Sequence, residues 1–148
     1  MSVSARPSDV ATPTALVDAV YDVISGLAIQ PRDWERFRTL FSPDAHLVPV
    51  VTLSDGTTAA DDCTVDRYIA TRSHTLSQAD FFEIGTFYQE HRMGRVAHAF
   101  SGYVSTRGRD DTPFAKGVNS VHFFHDGERF WITHLTWDAN LDSDRMNT

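Results

Sequence analysis

The side chains best suited to chemistry gather late in the chain, where residues 117–137 read GVNSVHFFHDGERFWITHLTW. Two apolar runs flank the turn HDGE, with His122, His125, His134, Asn119, Trp131 and Trp137 threaded through them. An imidazole, with an ordinary pKa of about 6.5, can serve as base, acid or metal ligand near neutral pH. A buried amide such as that of Asn119 has up to four hydrogen bonds to satisfy, which backbone, Ser120 or a polar ligand can supply. Large aromatics such as Trp131 and Trp137 fill a core or wall a cavity. Far upstream, Tyr21 brings a phenolic donor. Its neighbour Asp22 points elsewhere, because successive helix residues do not share a face.

Strand periodicity sorts these groups. Alternate residues share a face, so Trp131, Thr133, Leu135 and Trp137 belong together, with Phe130, Ile132, His134 and Thr136 opposite. On the partner strand the more apolar set, Val121 and Phe123, faces inward and brings Asn119 with it. His122 then faces outward, where His98 on an adjacent strand can approach it. Zinc wants three or four convergent ligands at about 2.0–2.1 Å. His125 falls in the HDGE turn and His91 in the expected turn YQEHRMG, so solvated or partner-facing imidazoles are expected, with no metal and no cofactor.

The elements that hold these residues can be read in order. Thr12-Pro13 starts a helix by capping chemistry, and Leu16, Ala19, Val20, Val23, Ile24 and Leu27 form its apolar stripe. A second helix over PRDWERFRTLF carries Trp34, Phe37, Leu40 and Phe41, and SPDA closes it as a turn. HLVPVVTL reads as a strand at an edge or bulged at Pro49, with SDGT as hairpin turn. Thr64 caps a third helix carrying Val65, Tyr68, Ile69 and Leu76. Four long strands follow: FFEIGTFYQEH, RVAHAFSGYVS, FAKGVNSVHFF and RFWITHLTW. Helices segregated to one face of a mainly antiparallel sheet of five or six strands make an α+β domain.

Composition narrows the class. At 148 residues, 41% hydrophobic and 22% charged, the chain suits one globular domain. The domain is expected over 14–138, between a flexible leader, 1–13, and a C-terminal tail, 139–148. A net charge of −7 and the lack of any basic run oppose nucleic-acid binding. No apolar run approaches the roughly 18 residues of a membrane span. The single cysteine, Cys63, rules out an internal disulfide and suits a reducing compartment, so a cytoplasmic location is expected.

This order of elements, the stretch DWERFRTLFSPDAHL, and above all FFEIGTFYQEHRMGRVAHAFSGYVS, PFAKGVNSVHFFHDGERFWI and ITHLTWD resemble the nuclear-transport-factor-2-like superfamily, NTF2-like for short. Within it, the likeness is to bacterial ketosteroid-isomerase-like and polyketide-cyclase-like small proteins, over most of 14–138. The resemblance implies a cone: three helices against a strongly curved sheet, an apolar cavity at the open end, and homodimerisation through the outer face of the sheet. It also implies that the Trp137 set faces the cavity. The isomerases of this superfamily keep a basic carboxylate near the start of the first strand and a tyrosine on the first helix. Here AHLVPVVTL holds no Asp or Glu, and only Tyr21 matches. The Asp-Arg-Asp arrangement of the epoxide hydrolases is not found at matching positions, and the paired histidines and tyrosines of the dehydratases stay open.

Three functional readings follow. The first is a protein that binds a small apolar molecule in a cavity lined by Tyr21, Trp34, Tyr103, Asn119 and Trp137. The second is a lyase or isomerase in which a histidine and a tyrosine move a proton in place of the missing carboxylate. The third is a non-catalytic dimeric interaction module working through the outer sheet face. Catalytic residues and ligand identity are not readable from the sequence.

Overall fold

The structure is a computed structural model and describes residues 3–139. Its helices are α1 (Pro7–Val10), α2 (Pro13–Ile24), α3 (Trp34–Arg38) and α4 (Val65–Leu76). Its strands are β1 (Phe41–Thr52), β2 (Thr58–Ala60), β3 (Phe82–Met93), β4 (Val96–Thr106), β5 (Ala115–His125) and β6 (Phe130–Asp138). The capping expectations hold in detail: Thr12 accepts from the Ala15 amide and Thr64 from the Arg67 amide. α2 and α4 lie against the sheet, and α3 packs on α2.

The sheet runs β2-β1-β6-β5-β4-β3, and every pairing is antiparallel except β1 with β6. It is open and curved, and its concave side holds the core. Leu16, Ile24, Phe37, Leu40, Leu47, Val121, Phe123 and Ile132 are almost wholly removed from solvent there.

Three local expectations need correction. SPDA is not a turn, because α3 ends at Arg38 and β1 already begins at Phe41, with a register shift between Phe41 and His46 absorbing the proline. His91 is not at a turn either; it sits inside β3 directly opposite His98. On β6 the alternation breaks at a bulge around Thr133, since His122 pairs with His134 while Phe123 pairs with Ile132. One extra residue flips the facing. Phe130 and Ile132 therefore point inward before the bulge, Leu135 and Trp137 after it. Trp131 turns outward, where its indole N–H donates to Asp126 at 2.8 Å.

The segment expected as a leader contributes to the core. Val10 and Asp9 of α1 are buried, and Asp9 takes two hydrogen bonds from Arg36, Nε at 2.8 Å and Nη2 at 3.0 Å. Arg36 also reaches Asp22, so one guanidinium ties α1, α2 and α3 together. The expected tail falls, apart from Ala139, outside the described residues. The Arg36 hydrogen bonds hold the Asp9 carboxyl below its ordinary pKa of 3.8, overcoming the opposing effect of burial. A depressed folded pKa adds stability that is present above the unfolded value and lost as pH falls through the folded one. Asp9→Asn is therefore expected to destabilise the protein at pH 7 by about 1.5–3 kcal/mol, as for hydrogen bonds to charged groups. The gap should close as pH falls below the ordinary 3.8 and through the lowered folded value, read as melting temperatures across the acid range.

Candidate functional site

A cavity of about 360 Å³ opens between α2, α4 and the concave face of the sheet. α4 contributes Tyr68, Thr71, Arg72 and Thr75, the three- and four-residue spacing that places side chains on one helical face. α2 supplies Val20 and Ile24, and Phe81 lies just ahead of β3. The sheet supplies the rest in register. Asn119 is opposite Ser101 on one side and Trp137 on the other, and Trp137 is opposite Pro49. Tyr103 is opposite Gly85 and Gly117, and Glu83 is opposite Ser105.

Tyr103 owes its pose to Gly117. A Cβ built there would come within 2.5 Å of the Tyr103 hydroxyl, so only a glycine leaves room for the ring to cross β5. Burial pushes the Tyr103 phenol well above its usual range, and it raises Tyr68 to about 12. Both are neutral hydroxyls at physiological pH.

Behind this wall lies a small buried polar network. The Asn119 amide donates to the Tyr21 hydroxyl at 3.2 Å, and that hydroxyl lies 2.6 Å from Ser101 Oγ. Tyr21 has its pKa raised to about 12, chiefly by burial. It does not line the main cavity; it borders a second, smaller depression with Asp18, Ser25 and Arg109.

Of the five expected cavity residues, Tyr103, Asn119 and Trp137 line it directly and Tyr21 stands one layer behind. Trp34 is elsewhere. It packs edge-on against Phe37 at 5.3 Å between ring centres and does not line the cavity. An aromatic at the first residue of a short helix packs on its i+3 neighbour, and here that neighbour intervenes.

The residue that sequence reasoning missed is Glu83. It lines the cavity from β3, and burial raises its pKa from an ordinary 4.5 to about 7, with nearby Arg72 pulling the other way. Among the described residues no hydrogen bond or ion pair reaches its carboxylate. The absence of an acid from AHLVPVVTL thus does not leave the cavity without one. A lone charge between apolar neighbours in FFEIG was the available signal, but strand alternation alone reads it as a solvent-facing residue. Among the described residues no histidine lines the cavity, so it does not supply the histidine that the alternative histidine–tyrosine reading needs there. His46, His91, His98, His122 and His134 lie on the opposite face of the sheet. Among the described residues no three of His, Cys, Asp and Glu converge as a metal site, and no helix is long and apolar enough to cross a membrane.

Comparison with models of known families and with curated proteins finds no match. Solved structures do match. An NTF2-like protein of unknown function from Pseudomonas putida KT2440 superposes with a TM-score of 0.62 at 14% identity, over 88% of this chain and 86% of that one. An uncharacterised protein with a cystatin-like fold from Caulobacter vibrioides gives 0.63 at 16%, over 90% of each chain. A protein of unknown function from Nostoc punctiforme, also with a cystatin-like fold, gives 0.63 at 11%, over 86% and 90%. At such identities the likeness establishes the fold, which is NTF2-like, and leaves the chemistry to the side chains.

Proposed function

We propose that the protein binds a small, mainly apolar molecule in the cavity between α2, α4 and the sheet. The observation that carries this reading is the cavity itself: about 360 Å³, walled by Val20, Ile24, Phe81, Leu135 and Trp137, with Tyr103 and Asn119 as orienting polar groups. Pockets of this size and character are the usual form of small-molecule sites. A cytoplasmic location belongs to the same proposal and is supported by the lone free cysteine.

The test is a titration with an environment-sensitive naphthalene sulfonate dye, read by dye emission and by quenching of tryptophan. Saturable one-to-one binding is expected, weakened about tenfold by Trp137→Ala or Tyr103→Ala, the loss of roughly 1.4 kcal/mol of contact. Trp34→Phe should leave it unchanged. Absence of binding, or equal sensitivity to Trp34→Phe, would sink the reading.

A second reading rests on Glu83. A carboxyl group that titrates near neutrality in a largely apolar cavity, with Arg72 at its wall, is suited to take a proton from a bound ligand and return it. In this version the protein is a lyase or isomerase with Glu83 as base and the neutral hydroxyls of Tyr68 or Tyr103 as donors.

Assembly is the third part of the proposal: two copies pair through the outer face of the sheet. Phe87, Met93, Val96 and Phe100 are all exposed on that face, an apolar surface larger than scattered single residues would make.

A further inference from the structure

Five of the seven histidines form one straight row across the outer face of the sheet. His46 on β1 is directly opposite His134 on β6, His134 opposite His122 on β5, His122 opposite His98 on β4, and His98 opposite His91 on β3. Neighbouring ring centres are 6.2, 6.0, 6.0 and 5.2 Å apart in that order. Directly opposed cross-strand positions share a face, so the row is continuous over five strands.

Apart from Asp44, exposed two residues before His46 on β1, the rows beside it carry no formal charge. Gln89, Phe100, Ser120, Thr136 and Val48 run along one side, and Met93, Val96, Phe124 and Trp131 along the other. On a molecule with a net charge of −7, this face carries little of the acidic charge. Like copies repel through their acidic surfaces and can meet where that charge is sparse, which is why a second copy is the occupant this face fits.

We propose that the histidine row is a proton-operated switch on that pairing: neutral imidazoles let two outer faces meet, and protonated ones drive them apart. The inference rests on the pairing reading given above. In a two-fold interface each row meets the same patch of its partner, so up to ten imidazoles share one desolvated strip. Charging them there is opposed both by desolvation and by every neighbouring cation.

Few groups could offset that charge. Asp62, ahead of α4, lies 2.7 Å from His46 Nδ1 and is the single acid in contact with the row among the described residues. At the margin Arg129 stacks 3.5 Å over Trp131, and its charge is offset by Asp126, which accepts from the Trp131 indole at 2.8 Å. Asp138 lies two rows away from the histidines and Lys116 three. Glu90 and Arg92 flank His91 in sequence but face the other side, where they pair with each other at 3.0 Å. His134, near the centre, already has its pKa lowered, first by burial and then by His122 and His46, with Asp62 opposing.

The sign follows. The pair binds fewer protons than two separate copies, so association is full at alkaline pH and is lost as pH falls into the range where imidazoles take up protons. If one imidazole per copy must stay neutral, the dissociation constant should rise about 100-fold between pH 7.5 and 5.5.

Sedimentation velocity of the full chain at pH 8.0 and 5.5, with circular dichroism at each pH, tests this. Expected is a species of twice 16.6 kDa at pH 8.0 and a folded 16.6 kDa species at pH 5.5. The triple variant His98→Gln, His122→Gln, His134→Gln should stay paired at both pH values, and Phe100→Asp should be monomeric at both. Pairing of the wild type at both pH values would overturn the switch and leave the pairing intact. A wild-type monomer at pH 8.0, or a paired Phe100→Asp, would overturn the pairing and the switch with it. Dissociation of the triple variant at pH 8.0 would show that the imidazoles act as contacts rather than as charges, and dissociation by EDTA would show a bridging metal. Either result rejects the proposal.

Discussion

Glu83→Gln is expected to raise the melting temperature at pH 8 and to leave it nearly unchanged at pH 4. The folded pKa of Glu83, about 7, lies above the ordinary 4.5. A raised folded value means that the native state holds a proton the unfolded chain has already released. The associated stability is complete below pH 4.5 and is lost as pH rises to about 7 and beyond. A displacement of this size corresponds to at most about 3 kcal/mol, and less if water enters the cavity. Glutamine keeps the shape and removes the titration. The difference between variant and wild type should grow from pH 4 to pH 8 and reach several degrees, at about 2–4 °C per kcal/mol. The comparison isolates Glu83, since Asp9 and the histidines are common to both proteins. A constant difference across pH would show that Glu83 does not titrate in this range.

The same variant decides whether Glu83 does chemistry. With unsaturated ketosteroids followed by absorbance, an active cavity should lose turnover in Glu83→Gln and keep it in His122→Gln, because His122 faces away from the cavity. Turnover that survives Glu83→Gln would remove Glu83 as the base. No turnover in the wild type would leave the binding reading standing alone.

Residues differ in how openly the sequence announces their place, and the physics explains why. Thr12-Pro13 and Thr64 are local signals, complete within four residues, and both caps form as expected. Asn119 follows from period-two alternation next to strongly apolar neighbours and Trp137 from what the resemblance implies for its set, and both reach the cavity. Trp131 obeys the same rule only as far as the Thr133 bulge, and one inserted residue cannot be seen in an alternation count. Glu83 and Trp34 fail for a different reason. Whether a charge faces water or a cavity, and whether an indole reaches that cavity or stops against Phe37, depends on elements distant in sequence. The histidine row is the extreme case. It needs the register of five strands at once, including the parallel β1–β6 pairing and two bulges, and no spacing within the sequence encodes it.

Phe37→Ala should be the most damaging single change, and it should reach the cavity although Phe37 does not line it. Phe37 is 1% exposed and sits at the centre of an aromatic cluster. It stacks on Tyr68 at 5.4 Å with planes 10° apart, and it contacts Phe41 at 4.8 Å and Trp34 at 5.3 Å. Tyr68 in turn meets Trp137 edge-on at 6.0 Å. That chain of rings runs from α3 through α4 to the cavity wall. Truncating a buried phenylalanine removes its transfer energy and leaves a void, together about 3–5 kcal/mol. In a domain of this size the melting temperature should fall by roughly 10 °C or more. The void lies directly behind Tyr68, whose ring then has no backing and can swing away from Trp137. Dye affinity should therefore fall along with stability even at a temperature where the variant is fully folded. Phe37→Leu, which keeps most of the volume, should recover much of both. Trp34→Phe removes surface from the outer side of the same cluster and should cost stability without changing affinity. If Phe37→Ala were to bind the dye as tightly as the wild type while melting lower, the α3 cluster would support the fold alone, and the cavity wall would be held by α4 and the sheet without it.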